Sequence, residues 1–190
     1  MSEADMALSL KDITPGEGNK AMLKAARDLS ADWYGWLYLY GGPGNAKTIT
    51  LKALVNAANQ AGRGPAMYVK FADVVNWMRD SFSERQARAL DPFANMGYVE
   101  RFERLKQIPV LAIDEMGKER SNEFADEFRF HFLDERYQQG ITGQTVTIFA
   151  SNDDPAGLAS PLWDRIRDGR FRVAEVTAAS ARRWMKRGQP

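Results

Sequence analysis

Apolar residues in this chain fall into two alternating patterns. Short, nearly continuous runs at 36–40, 67–71, 108–113, 145–150 and 171–176 are bounded by glycine, proline or charge and read as buried strands. Helical spacing fills the gaps between them. Leu51, Leu54, Val55 and Ala58 lie at i, i+3, i+4 and i+7 within 48–61, and Gly62 stands where a helix stop belongs. Val74, Trp77 and Met78 share one face after the second run. Strand–helix alternation without an internal repeat predicts an α/β fold in three layers. The expected architecture is a five-stranded, mainly parallel sheet with helices on both faces.

Two stretches depart from this rhythm. Residues 81–107 are too long for a simple crossover between the second and third strands. A break at Asp91-Pro92, then Val99, Phe102 and Leu105 at spacings of three, predicts a helical insertion there. Residues 121–139 form a helix with opposed apolar stripes: Phe124, Phe128 and Phe132 on one side, Phe130, Leu133 and Tyr137 on the other. Such a helix is packed on both sides, by the sheet and by either the insertion or a neighbouring subunit. The lone His131 lies beside the first stripe and is expected as a core-edge residue rather than a catalyst.

With 190 residues, 44% of them hydrophobic and 27% charged, the chain is globular and buries roughly 70% of its extended surface without staples. It has no cysteine, which excludes disulfides and thiolate metal sites, and one histidine makes a zinc centre a poor fit. No apolar run approaches membrane-spanning length and the start lacks a secretion-signal layout, so the expected compartment is the cytoplasm with no membrane partner. The net charge of +1 implies no nucleic-acid partner by itself. Its distribution is uneven: residues 164–190 hold eight basic side chains against three acids. A solvated C-terminal helix and a phosphate contact are both open readings of that tail.

The chemistry concentrates where strands end. Gly41-Gly42-Pro43-Gly44-Asn45-Ala46-Lys47-Thr48 follows the first strand and opens a helix, the placement a phosphate-binding loop requires. Small residues let backbone N–H groups converge on phosphate, Lys47 reaches the outer phosphates, and the Thr48 hydroxyl suits Mg²⁺. Ala46 occupies the position of the second glycine in G-x-x-x-x-G-K-[ST]; a positive φ there costs an alanine on the order of 1 kcal/mol. Taken alone, the segment is also compatible with a glycine-rich turn and an incidental lysine. The third strand runs into Asp114 and Glu115 at the sheet edge where ligands of open α/β folds bind. Asp114 is suited to hold Mg²⁺ through water and Glu115 to orient the attacking water; a solvated acidic turn is the bland reading. The fourth strand ends at Asn152, either a contact to the lytic water or γ-phosphate or an Asx turn, and both can hold together.

The motifs GGPGNAKT, VLAIDEMG, LDERYQQG followed by TIFASN, and LWDRIRDG resemble AAA+ ATPases of the clade containing the DnaC- and DnaI-type replicative helicase loaders and the IstB-type transposition ATPases. The resemblance runs from about Lys20 to Arg182. It implies a P-loop NTPase fold binding ATP and Mg²⁺, with Walker A at Gly41 through Thr48, Walker B at Asp114 and Glu115, and sensor 1 at Asn152. Arg165 then matches the arginine finger that acts on ATP in an adjacent subunit, and Arg182 the sensor 2 contact to the γ-phosphate. The implied partners are a replicative helicase, single-stranded DNA and further copies in a helical or ring oligomer.

The insertion is similar to the helical element that faces single-stranded DNA in the initiator and loader branch. Here it mixes Arg85, Arg88, Arg101, Arg104 and Lys106 with Glu84, Asp91, Glu100 and Glu103. Its aromatics Phe93, Tyr98 and Phe102 suit either base stacking or packing. Residues 1–190 are read as one AAA+ ATPase domain with no room for an N-terminal helicase-binding domain and little or no separate lid. A transposition ATPase shares every motif. A nucleotide-binding interaction module with little turnover is the other alternative, and a small-molecule kinase is disfavoured by Asp114-Glu115 with Asn152.

Overall fold

The apolar runs pair as five parallel strands: β1 (Gly35–Tyr40), β2 (Ala66–Lys70), β3 (Val110–Met116), β4 (Val146–Ser151) and β5 (Arg172–Glu175). Their order in the sheet is β2-β3-β4-β1-β5. The helices are α1 (Glu3–Met6), α2 (Lys20–Asp32), α3 (Lys47–Gln60), α4 (Phe71–Asp80), α5 (Tyr98–Lys106), α6 (Glu123–Ile141) and α7 (Ser160–Ile166), with 3₁₀ turns at Leu10–Asp12, Glu17–Asn19 and Pro155–Gly157. The computed structural model describes residues 1–82, 91–93, 95–117, 122–157 and 160–178. Among them, no helix is long and apolar enough to cross a membrane.

Strand alternation divides the core into two slabs. Leu37, Leu39, Val110, Ala112, Ile148 and Ala150 face α2 and α3; Trp36, Tyr38, Leu111, Ile113 and Phe149 face α4 and α6. Both faces of the central strands are covered, so β1, β3 and β4 read as continuous apolar runs.

Between β2 and β3 lies the inserted element, with α5 packed on α4 and α6 rather than on the sheet. Phe102 meets Phe128 and Phe132 edge-on, so the insertion covers the first stripe of α6. Tyr137 of the second stripe packs edge-on against Trp36 of the sheet. Phe130 does not share that burial: it is 47% exposed, and the Arg165 guanidinium lies over its ring. His131 is exposed as well, a surface residue rather than the core-edge one expected.

The inward face of α5 also differs from its apolar spacing. Val99 is 72% exposed, whereas Arg101 is buried against Asp91 at 2.6 Å and donates to the Trp77 and Met96 carbonyls. A buried ion pair whose arginine also donates to two backbone carbonyls tolerates that position, and it turns the helix away from Val99. Arg136 of α6 is fully buried, with donors on Thr147 Oγ1 and the carbonyls of Lys106, Ile108 and Val146. One guanidinium thereby ties α6 to the chain entering β3 and β4. The first nineteen residues, without helical periodicity of their own, are nonetheless ordered against α3. Asn56 donates to the Asp5 and Leu8 carbonyls at 2.8 Å each.

Candidate functional site

The carboxyl ends of β1, β3 and β4 place the expected residues along one edge of the sheet. The loop after β1 turns through Gly41 at φ 131°, where an added Cβ would meet the Val176 carbonyl oxygen at 2.2 Å. Asn45 fastens the same loop by donating to that oxygen at 3.0 Å. Ala46 then adopts φ 68°, ψ 7°, the left-handed conformation that glycine takes without penalty. Relieving it by Ala46→Gly is expected to stabilise the fold by about 0.5–1 kcal/mol, a rise of about 1–4 °C in a thermal melt. An unchanged melt would mean that the loop carries no strain at residue 46.

Lys47 begins α3 with its ammonium folded into the loop. It bonds the carbonyls of Gly41 and Gly42 at 2.5 and 2.8 Å, Asn45 Oδ1 at 3.0 Å and Asn152 Oδ1 at 3.4 Å. The Thr48 hydroxyl lies 2.7 Å from Asp114 Oδ2. Residues far apart in the chain therefore meet in one hydrogen-bonded cluster. Its cation is held by neutral oxygens, and its carboxylate faces a hydroxyl, an arrangement suited to a polyanion with a hard divalent ion.

Asp114 and Glu115 lie at an irregularity in the ladder. Ile113 pairs with Phe149 and Met116 with Ser151, so two residues of β3 stand opposite Ala150 alone. Glu115 takes φ 56°, and its amide donates to Asp114 Oδ1 at 2.8 Å. Its own carboxylate meets Lys70 Nζ at 3.0 Å, a contact that pushes the lysine pKa up.

Two neighbours of the cluster, both on β2, escaped the sequence reading. Lys70 is one; Tyr68, whose hydroxyl donates to Asp114 Oδ2 at 2.7 Å, is the other. Burial first, then the bond to Asp114, pushes the phenol pKa up, so it remains a proton donor. Their signal is register: Lys70 stands opposite Asp114, and Tyr68 opposite Ala112.

Arg165 is not brought to this cluster. It lies on α7, bonded to Asp134 of α6 and to the Pro161 carbonyl, with its guanidinium over the rings of Phe130 and Tyr137. Arg182 lies outside the described residues, as do Glu84, Arg85 and Arg88 of the insertion. Phe93 and Phe102 are engaged in packing, on Trp77 and on Phe128, while Tyr98 stacks on exposed Phe82.

No protein-family model and no curated protein matches the sequence. Solved structures do. A DnaC helicase loader superposes with a TM-score of 0.71 at 14% identity, covering 92% of this chain and 99% of that one. DnaI gives 0.68 at 22% identity, covering 93% and 95%. The replication initiator DnaA bound to AMPPCP and single-stranded DNA gives 0.70 at 20% identity, covering 90% of this chain and 50% of that one. The present chain thus spans about half the length of the DnaA chain and nearly all of the DnaC and DnaI chains. The sheet, its two helical layers and the inserted helix give this chain the fold shared by DnaC, DnaI and DnaA.

Proposed function

We propose that the chain binds and hydrolyses ATP as the AAA+ module of a helicase loader in DNA replication, assembling with further copies on single-stranded DNA and a replicative helicase. The observation that carries this reading is the convergence of Lys47, Thr48, Asp114 and Asn152 at one sheet edge. The likeness to a DnaC helicase loader and to DnaA bound to AMPPCP and single-stranded DNA supports the choice of partners.

Lys47 exchanges loop carbonyls for phosphate oxygens, and the backbone N–H groups of Gly42 and of Gly44 through Thr48 line the β-phosphate. Thr48 and Asp114 supply one hydroxyl and one carboxylate, a donor set that would hold Mg²⁺. A divalent cation held by Thr48 and Asp114 would supply charge neutralisation at the phosphates. Glu115 orients the attacking water once Lys70 releases its carboxylate, and Asn152 holds the γ-phosphate or that water. Arg165 acts from the neighbouring subunit, leaving its pair with Asp134.

Because that arginine comes from another copy, hydrolysis per subunit is expected to rise steeply with protein concentration and with added single-stranded DNA. An arginine supplied in trans is worth roughly 10³–10⁵ in rate in GTPase systems. Arg165→Ala should flatten the dependence while AMPPCP affinity stays the same. Equal turnover by dilute monomer and assembled protein would sink the trans role. The strain at Ala46 and the Lys70–Glu115 pair favour a second reading, a nucleotide-binding module with little turnover. Tight AMPPCP binding with no hydrolysis at any concentration, with or without DNA and helicase, would select it.

A further inference from the structure

Asp114 is held by more donors than a metal-binding carboxylate needs from its own loop. Oδ1 accepts from the Glu115 amide, while Oδ2 accepts from both Thr48 and Tyr68 at 2.7 Å. Tyr68 is in turn held from behind. The ammonium of Lys52, on α3, lies 5.3 Å from its ring centroid, a cation–π contact. Lys52 also bonds Asp5 Oδ1 at 2.7 Å. Asp5 closes a reciprocal cap on α1, its Oδ2 accepting from the Ser2 amide at 2.9 Å and its own amide donating to Ser2 Oγ. A continuous path thus leads from the N-terminal helix to the carboxylate beside the phosphate loop. Each link is a charge or hydrogen bond; the Lys52–Asp5 pair is mostly buried, and the Ser2 cap at the far end is exposed.

We infer that Tyr68 is a positioning residue for Asp114, and that Asp5 and Lys52 latch α1 to it, so that the N-terminal segment regulates how strongly Mg²⁺ enhances nucleotide binding. This rests on the nucleotide reading above. The phenol fixes the rotation of the carboxylate so that its free lone pair points toward the phosphate loop; such outer partners are worth about 10–100-fold in metal affinity. Freeing Lys52 from Asp5 loosens the ring and weakens the same bond. Coupling is reciprocal, so binding at Asp114 is felt at α1.

The test titrates AMPPCP into the full chain by calorimetry, in Mg²⁺ and in EDTA, and takes the ratio of the two affinities. Tyr68→Phe keeps the ring and its packing, which a thermal melt verifies. It is expected to lower the ratio about tenfold while leaving the EDTA affinity unchanged. Asp5→Asn is expected to lower the ratio severalfold, and Asp5→Asn combined with Tyr68→Phe to lower it no further than Tyr68→Phe alone. Amide exchange over residues 3–8 should change on adding Mg²⁺ to the AMPPCP complex of the parent chain and stay constant in Tyr68→Phe. A parent-like ratio in Tyr68→Phe overturns the positioning role. A reduced ratio in Tyr68→Phe with a parent-like one in Asp5→Asn overturns the latch. No AMPPCP binding by the parent chain in either buffer is the separate result that overturns the nucleotide reading itself.

Discussion

Lys47→Ala is expected to abolish nucleotide binding, with a loss of about 2–5 kcal/mol measured by anisotropy of a fluorescent ATP analogue. The ammonium is the hub of the loop, joined to two carbonyls and to the amide oxygens of Asn45 and Asn152. The acceptors around this cation preorganise it, because the lysine reaches phosphate without crossing from solvent. Alanine leaves these oxygens facing a polyanion, so repulsion adds to the missing attraction. The fold should survive, since Asn45 still ties the loop to Val176. Parent-like affinity in a folded Lys47→Ala protein would remove the loop from phosphate binding.

Glu115→Gln should separate binding from turnover. The amide keeps an acceptor for Lys70 and the backbone bond to Asp114, and so preserves the geometry of the cluster. What it loses is the negative charge that draws a proton from water, a contribution of about 10²–10⁴ in rate. The expected variant binds AMPPCP within severalfold of the parent and turns ATP over at least a hundredfold more slowly. Undiminished hydrolysis, measured as phosphate release, would take Glu115 out of that role.

The central strands were legible because burial on both faces leaves no polar residue to interrupt them. Lys47, Thr48, Asp114 and Asn152 were legible because each sits where a strand ends, and an open parallel sheet gathers such ends along one edge. Tyr68 and Lys70 were not, since their meaning depends on β2 lying beside β3, a pairing that spacing along the chain does not encode. The face of α5 was misread for an energetic reason. Apolar spacing favoured Val99, but the pairing of Arg101 with Asp91 outweighs one exposed valine. Phe130 belongs to an apolar stripe by spacing and to the surface by packing, where a guanidinium rather than a neighbouring helix covers it. α1 has a single turn, too short for periodicity, and only its Ser2–Asp5 cap marks it.

The extra residue in β3 has a consequence for how this edge can change over generations. Leu111 and Ile113 point to the α6 side, and strict alternation would send Met116 to the other; the irregularity at Asp114 and Glu115 restores it to the slab with Phe149. Removing Glu115 altogether would therefore do more than delete a carboxylate. It would rotate a large thioether out of its layer and force the following turn to be rebuilt. Substitutions can tune chemistry here, but insertions and deletions break packing at the same stroke, so the length of this segment is the most constrained quantity on the edge.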